Sequence, residues 1–187
     1  MIQTLNKIKF LLSKPKVVIM AGAGRGTAKE AVYQILARHF KIGKDILLFD
    51  QEDKNLDFYI KHSSLPILVA THTGDLEDVK PIAQLAELMP VFGYSILNFD
   101  DEIVRGIKNQ TKSHIITFGF GVRADMSASD VVLTKTADLG TNFKINYEGN
   151  IVPVWLKNLF GKEYIYAALA AVAVGEPPQA ICRKCGE

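Results

Sequence analysis

KVVIMAGAGRGTAKEAVYQIL, residues 16–36, reads as a strand, a glycine-rich turn and a helix in that order. Val17, Val18, Ile19 and Met20 form a continuous apolar run, the pattern of a strand buried on both faces. Ala21-Gly22-Ala23-Gly24-Arg25-Gly26-Thr27 follows with almost no side-chain bulk. Ala31, Ile35 and Leu36 then fall on one helical face, Lys29 and Glu30 on another. A backbone short of Cβ atoms at a helix N-terminus can aim several N–H groups at a phosphate, and the helix dipole adds to the attraction. Gly22, Gly24, Arg25, Gly26 and Thr27 are therefore candidate phosphate-binding residues. The full phosphate-loop pattern ends in G-K-[ST]. Gly24-Arg25-Gly26 stands in that place: Arg25 keeps the charge, Gly26 lacks a hydroxyl, and Thr27 offers one a residue later. The other reading is a tight strand-to-helix turn that binds nothing.

A chain of 187 residues defaults to one domain and can bury a proper core. Its apolar content of 48% and charged content of 22% are those of an ordinary globule. A net charge of +2 gives no reason to expect a nucleic-acid partner. No apolar run approaches the ~20 residues that span a bilayer. The opening MIQTLNKIKFLLSK is broken by Lys7 and Lys9 and lacks a small-residue cleavage site, so it does not read as a signal peptide. Residues 1–13 fit an amphipathic helix with Ile2, Leu5, Ile8 and Leu12 on its packing face. The expected compartment is the cytoplasm.

Strands are expected at residues 45–50, 66–70, 94–98 and 114–119, with helices at 54–62, 77–89 and 102–108 between them. The pattern then turns to hairpins: strands at 130–135, 141–147 and 151–155, with a turn at Glu148-Gly149-Asn150 and Pro153 marking an edge. A last helix covers residues 161–174. The fold class is α/β: a P-loop-type, mostly parallel sheet flanked by helices and extended by C-terminal antiparallel strands. Residues 14–175 form the domain, preceded by the helix at 1–13 and followed by a tail, 176–187. Asp50 ends its strand where open α/β folds place ligands, and His72 follows the third strand; its imidazole with the carboxylate of Asp50 or Asp75 suits a divalent ion. Both are candidate metal ligands, against the alternative of solvated loop residues. Asp100 and Asp101 are expected to cap the helix after them. Cys182 and Cys185 are the only cysteines, a C-x-x-C pair that reads as half of a zinc site completed by a second chain, as a redox couple, or as free tail thiols.

Residues 14–175 resemble the central domain of the Mur ligase family, in the form without the usual N-terminal domain. The resemblance rests on separate segments in the right order. Residues 20–30 lie on the family's T-G-S-x-G-K-T-[ST]-T-K-E loop, matching at Gly24, Thr27, Lys29 and Glu30, with Ala21, Arg25 and Gly26 in place of the first glycine, the lysine and the magnesium threonine. Thr71, Gly74 and Leu76 fit T-N-I-G-x-x-H-L, with His72 at the asparagine and the ligand histidine absent. Asn98-Phe99-Asp100-Asp101 fits L-N-x-D-D, and residues 117–119 fit its T-F-G strand ending. Residues 143–154 follow F-x-x-x-Y-E-G-x-x-V-P-V, and Gly161, Ala168, Ala170 and Ala171 fit the final helix.

The resemblance implies ATP with Mg²⁺ as cofactor, Asn98 on the adenine side, and Asp50 in the place of a magnesium-holding glutamate. It implies a link to the ATP-dependent carboxylate–amine ligases of peptidoglycan precursor synthesis. The helix at 77–89 lacks the family's modified lysine, and Glu163, Tyr164 and Ala167 replace nucleotide-facing residues of the last helix. Two expectations result. One is a nucleotide-binding domain, catalytically incomplete alone, that works with a partner chain or as a homo-oligomer. The other is a non-catalytic binding or assembly module that does not hold ATP.

Overall fold

The computed structural model describes residues 2–74, 79–135 and 139–175, with side chains from residue 7 onward. The elements are α1 (Ile2–Ser13), β1 (Lys16–Ala21), α2 (Arg25–Leu36), β2 (Ile46–Asp50), α3 (Leu56–His62), β3 (Pro66–Ala70), α4 (Lys80–Leu88) and β4 (Tyr94–Asn98). They continue through α5 (Glu102–Gly106), β5 (His114–Gly119), β6 (Met126–Thr134), β7 (Gly140–Tyr147), β8 (Asn150–Lys157) and α6 (Lys162–Gly175). Eight strands make one sheet in the order β2-β1-β3-β4-β5-β6-β7-β8. The first five are parallel, so β1, β3 and β4 deliver Ala21, Ala70 and Asn98 to the same edge. β7 is antiparallel to both of its neighbours, β6 and β8.

The apolar runs of β1 and β3 are explained by cover on both faces. On one face Val18, Met20, Ile67 and Val69 pack with Val32 and Leu36 of α2 and Leu169 and Val174 of α6. The alanines of α6 at 167, 170, 171 and 173 are buried, and their small side chains let α6 approach closely. On the other face Val17, Ile19, Leu68 and Leu97 meet Ile60 of α3, Ile82 and Leu85 of α4, and Val104 of α5.

Four sequence expectations are corrected. The apolar run at residues 46–49 reads as a second buried strand, but β2 is an edge strand and only Ile46 is buried. An apolar run reports cover, not the position of a strand in its sheet. Among the described side chains of α1 the buried one is Phe10, lodged against Phe58 and Tyr59, while Ile8 and Leu12 are exposed at 50% and 82%. β6 begins at Met126, and Met126 and Ser127 pair with β5 in parallel on one side and with β7 antiparallel on the other. α5 ends at Gly106 and a 3₁₀ turn, Ile107–Asn109, completes the segment. Pro153 does lie on the free edge strand, β8, where its missing N–H breaks no ladder bond. The tail at 176–187 lies outside the described residues, as do residues 75–78 at the expected start of α4.

Candidate functional site

The turn between β1 and α2 sits at the carboxyl edge of the parallel strands, where such sheets hold ligands. Gly22 has φ +99°, and a Cβ there would lie 2.5 Å from Thr71 Oγ1 and 2.7 Å from the His72 carbonyl oxygen. Only glycine suits that position. The close approach is held by hydrogen bonds. The Thr71 N–H and hydroxyl both donate to the Ala21 carbonyl, at 2.9 and 3.0 Å, and the Ala23 N–H donates to the His72 carbonyl at 2.7 Å. Gly24 is the N-cap of α2, and no side chain caps the helix. The first-turn N–H groups of Arg25, Gly26 and Thr27 are thus left without a capping carboxylate or hydroxyl. The His72 ring lies beside the turn, with Nε2 3.0 Å from where a Gly24 Cβ would stand and Nδ1 3.3 Å from where a Gly74 Cβ would stand.

The segment after β2 closes the other side. The Gly22 N–H donates to Gln51 Oε1 at 2.9 Å. Arg25 Nη1 donates to the Gly22 carbonyl at 3.1 Å and Nη2 bridges to Glu52 at 2.6 Å. Lys29 Nζ bridges to Asp50 at 2.5 Å. Both cations of the turn and first helix turns therefore have internal carboxylate partners. These contacts join Gly22 and Arg25 to Gln51 and Glu52, and Lys29 to Asp50; Gly24, Gly26 and Thr27 belong to the same turn and helix start. The structure places His72 against Gly24 and Gly74 instead of in a metal cluster. Among the described residues no group of three or more His, Cys, Asp or Glu is arranged around a metal position. Cys182, Cys185 and Asp75 lie outside the described residues.

Asn98 ends β4 on the same edge, almost wholly buried, and its Oδ1 accepts the Asp100 N–H at 3.0 Å. The two aspartates beyond it divide their work, which corrects the expectation that both cap α5. Asp101 caps, with Oδ1 accepting from Ile103 and Val104 N–H at 3.0 Å each. Its Oδ2 accepts from the Thr73 N–H and hydroxyl at 2.7 and 2.8 Å, tying α5 to the loop after β3. Burial pushes the Asp101 carboxyl up, but the hydrogen bonds from Thr73, Val104 and Ile103 outweigh it and hold the group below its ordinary value. Asp100 instead accepts from Phe120 and Gly121 N–H at 2.6 and 3.0 Å and from the Tyr166 hydroxyl at 3.0 Å. Burial, and then the bond to Asp100, raise Tyr166 well above a normal phenol. Gln51, Thr73 and Tyr166 went unread in the sequence. Their partners are distant along the chain, and no local spacing marks them.

The donors fit a phosphate: glycine backbone close to a second loop, an uncapped helix start and one guanidinium. They do not form a protein-borne magnesium site, because the Asp50 carboxylate is engaged by Lys29 and Gly26 has no hydroxyl. No helix among the described residues is long and apolar enough to cross a membrane.

No protein-family model matches the chain. The sequence is similar to UDP-N-acetylmuramate–L-alanine ligases: 31% identical over 145 residues to that of a Sulfurihydrogenibium species, covering 72% of this chain and 30% of the relative. A Hydrogenobaculum ligase of the same name is 28% identical over 151 residues, covering 76% and 33%. The chain thus spans about a third of the length of the curated relatives it matches. The fold is that of MurF ligase from Thermotoga maritima, solved with ADP, at a TM-score of 0.72 with 15% identity, covering 91% of this chain and 47% of that one. It also matches FPGS solved with AMPPCP and folate, at a TM-score of 0.56 with 12% identity, covering 92% and 60%.

Proposed function

We propose that the chain, which is similar to Mur ligase central domains in sequence and fold, is a nucleotide-binding domain whose Gly22–Thr27 turn takes the phosphates of ATP. The carrying observation is the conformation of that turn. Gly22 at positive φ, with no room for a Cβ, brings the backbone against the loop after β3 and leaves the start of α2 uncapped. Arg25 supplies the positive charge and Thr27 the hydroxyl. Asn98, on the same sheet edge, is the residue for the adenine side. Related ligases couple ATP cleavage to joining a carboxylate and an amine; the share of this chain is to bind and orient the triphosphate, with the acceptor groups supplied from elsewhere. Among the described residues Asp50, held in an ion pair with Lys29, is the carboxylate that would help to hold a magnesium ion, which would supply charge neutralisation at the phosphates.

Calorimetry of ATP binding, with and without Mg²⁺, tests this. Micromolar binding that Arg25→Ala abolishes is expected. No heat up to millimolar ATP overturns it. The second reading, a binding or assembly module without nucleotide, is favoured by one observation: Glu52 and Asp50 already neutralise Arg25 and Lys29. Under that reading the same titration is silent and the partner is another protein chain.

A further inference from the structure

The free edge of β2 forms the floor of a groove of about 720 Å³ between α1 and α2. Lys9, Tyr33, Lys44, Leu48, Phe49 and Tyr59 are among its lining residues. Three lysines line it and no aspartate or glutamate does. Lys29 is neutralised by Asp50 at 2.5 Å. Lys9 and Lys44 are exposed, and neither has an ion-pair partner among the described residues. The aromatic wall is preformed. Phe49 stacks on Tyr59 with centroids 4.7 Å apart and planes 20° apart, and Tyr59 is braced edge-on by Phe10 at 4.9 Å. The volume is that of a small-molecule site, and the lining is the usual one, apolar with a few charged groups.

An extended peptide is a poor fit. Adding a strand needs a row of free backbone groups on the edge. Here the Ile46 carbonyl accepts the Gly43 N–H at 2.8 Å, and the Asp50 N–H donates to Asp53 at 2.7 Å. Since Gln51 N–H and Asp45 carbonyl face β1, alternation leaves only Leu48 to offer its peptide groups outward.

We propose that this groove binds a small organic anion with a flat apolar body. Its carboxylate, sulfonate or phosphate is met by Lys9 and Lys44, and its body lies against Leu48, Phe49 and Tyr59. The site is separate from the phosphate turn and does not depend on nucleotide binding.

The test uses the full chain with 8-anilinonaphthalene-1-sulfonate, an aromatic anion, and N-phenyl-1-naphthylamine, its uncharged counterpart. One saturable site for the anion is expected, with the neutral dye about tenfold weaker. The double variant Lys9→Gln, Lys44→Gln lowers the anion's affinity by about tenfold and flattens its salt dependence. Both side chains are exposed, and an unchanged melting curve shows that the variant folds. Trp155, the only tryptophan, lies on β8 at the far edge, seven strand spacings or roughly 34 Å away. Weak energy transfer from it to the bound dye is therefore expected. Strong transfer, equal affinity in the double variant, or no saturable site each overturns the proposal. So does a concentration-dependent dimer that excludes the dye, which would make a second copy the occupant.

Discussion

Arg25 and Glu52 meet at 2.6 Å, and the other arm of the same guanidinium donates to the Gly22 carbonyl at 3.1 Å. The cation best placed to meet a phosphate is thus folded back along its own turn and shared with a carboxylate. Glu52 is 68% exposed, so the pair is screened and contributes below about 1 kcal/mol. A polyanion at the start of α2 has to compete with it. Replacing Glu52 by Gln is expected to tighten ATP binding by up to about fivefold at low salt, an advantage that shrinks as salt is added. Weaker binding in Glu52→Gln would instead make Glu52 the residue that orients Arg25 for its ligand.

Gly22 and Gly26 lie four residues apart, and the structure assigns them opposite responses to a methyl group. At Gly22 a Cβ meets Thr71 Oγ1 and the backbone of His72, at positive φ. Gly22→Ala should destabilise by about 2–4 kcal/mol, read from the denaturant midpoint. At Gly26 nothing lies within 4 Å, and the residue is helical. Gly26→Ala should stabilise by about 0.5–1 kcal/mol. If a phosphate approaches the backbone there, the same variant binds ATP more weakly while melting higher. Equal affinity with higher stability would remove Gly26 from the site.

The parallel core was legible because its strands are short apolar runs between polar punctuation. Pro66–Ala70, Tyr94–Asn98 and His114–Gly119 match the expected bounds residue for residue. What was not legible depends on partners far along the chain. Nothing local tells Asp100 from Asp101, yet one clamps the loop after β5 and the other caps α5. A helical wheel for α1 offers Ile8 and Leu12 as readily as Phe10; the aromatic pocket made by Phe58 and Tyr59 selects Phe10. The phosphate turn was visible from its glycines. Its closure by Gln51, Glu52 and Asp50 was not, because strand order, which seats β2 beside β1, is not written in either strand.

Tyr166 and Asp100 are 66 residues apart and joined by a 3.0 Å hydrogen bond that holds α6 to the loop between β4 and α5. Tyr166→Phe should cost about 1 kcal/mol. The phenol, raised above its ordinary value of 10.0, favours the folded state while it stays protonated. That contribution is full below about pH 10 and is lost as pH rises through the folded-state value. A spectrophotometric titration of folded protein should show a tyrosine component that resists ionisation, and Tyr166→Phe should remove that component. All tyrosines titrating together near pH 10 would contradict the assignment.

Asp101 acts in the opposite direction on the pH axis. It accepts four hydrogen bonds, two from α5 and two from Thr73, and its carboxyl lies below the ordinary 3.8. The unfolded chain therefore binds a proton there at a higher pH than the folded one. Stability from this group is present above about pH 4 and is lost as pH falls through the folded-state value. Asp101→Asn keeps an oxygen for the cap but not the charge, so it should flatten the fall of melting temperature below about pH 4 at modest cost near neutrality. Asp101→Ala removes cap and tie together and should cost about 1–2 kcal/mol at pH 7. Because the tie ends on Thr73, next to His72, the alanine variant should also speed amide exchange in residues 71–74 more than in α4. Exchange that rises only within α5 would reduce Asp101 to a helix cap.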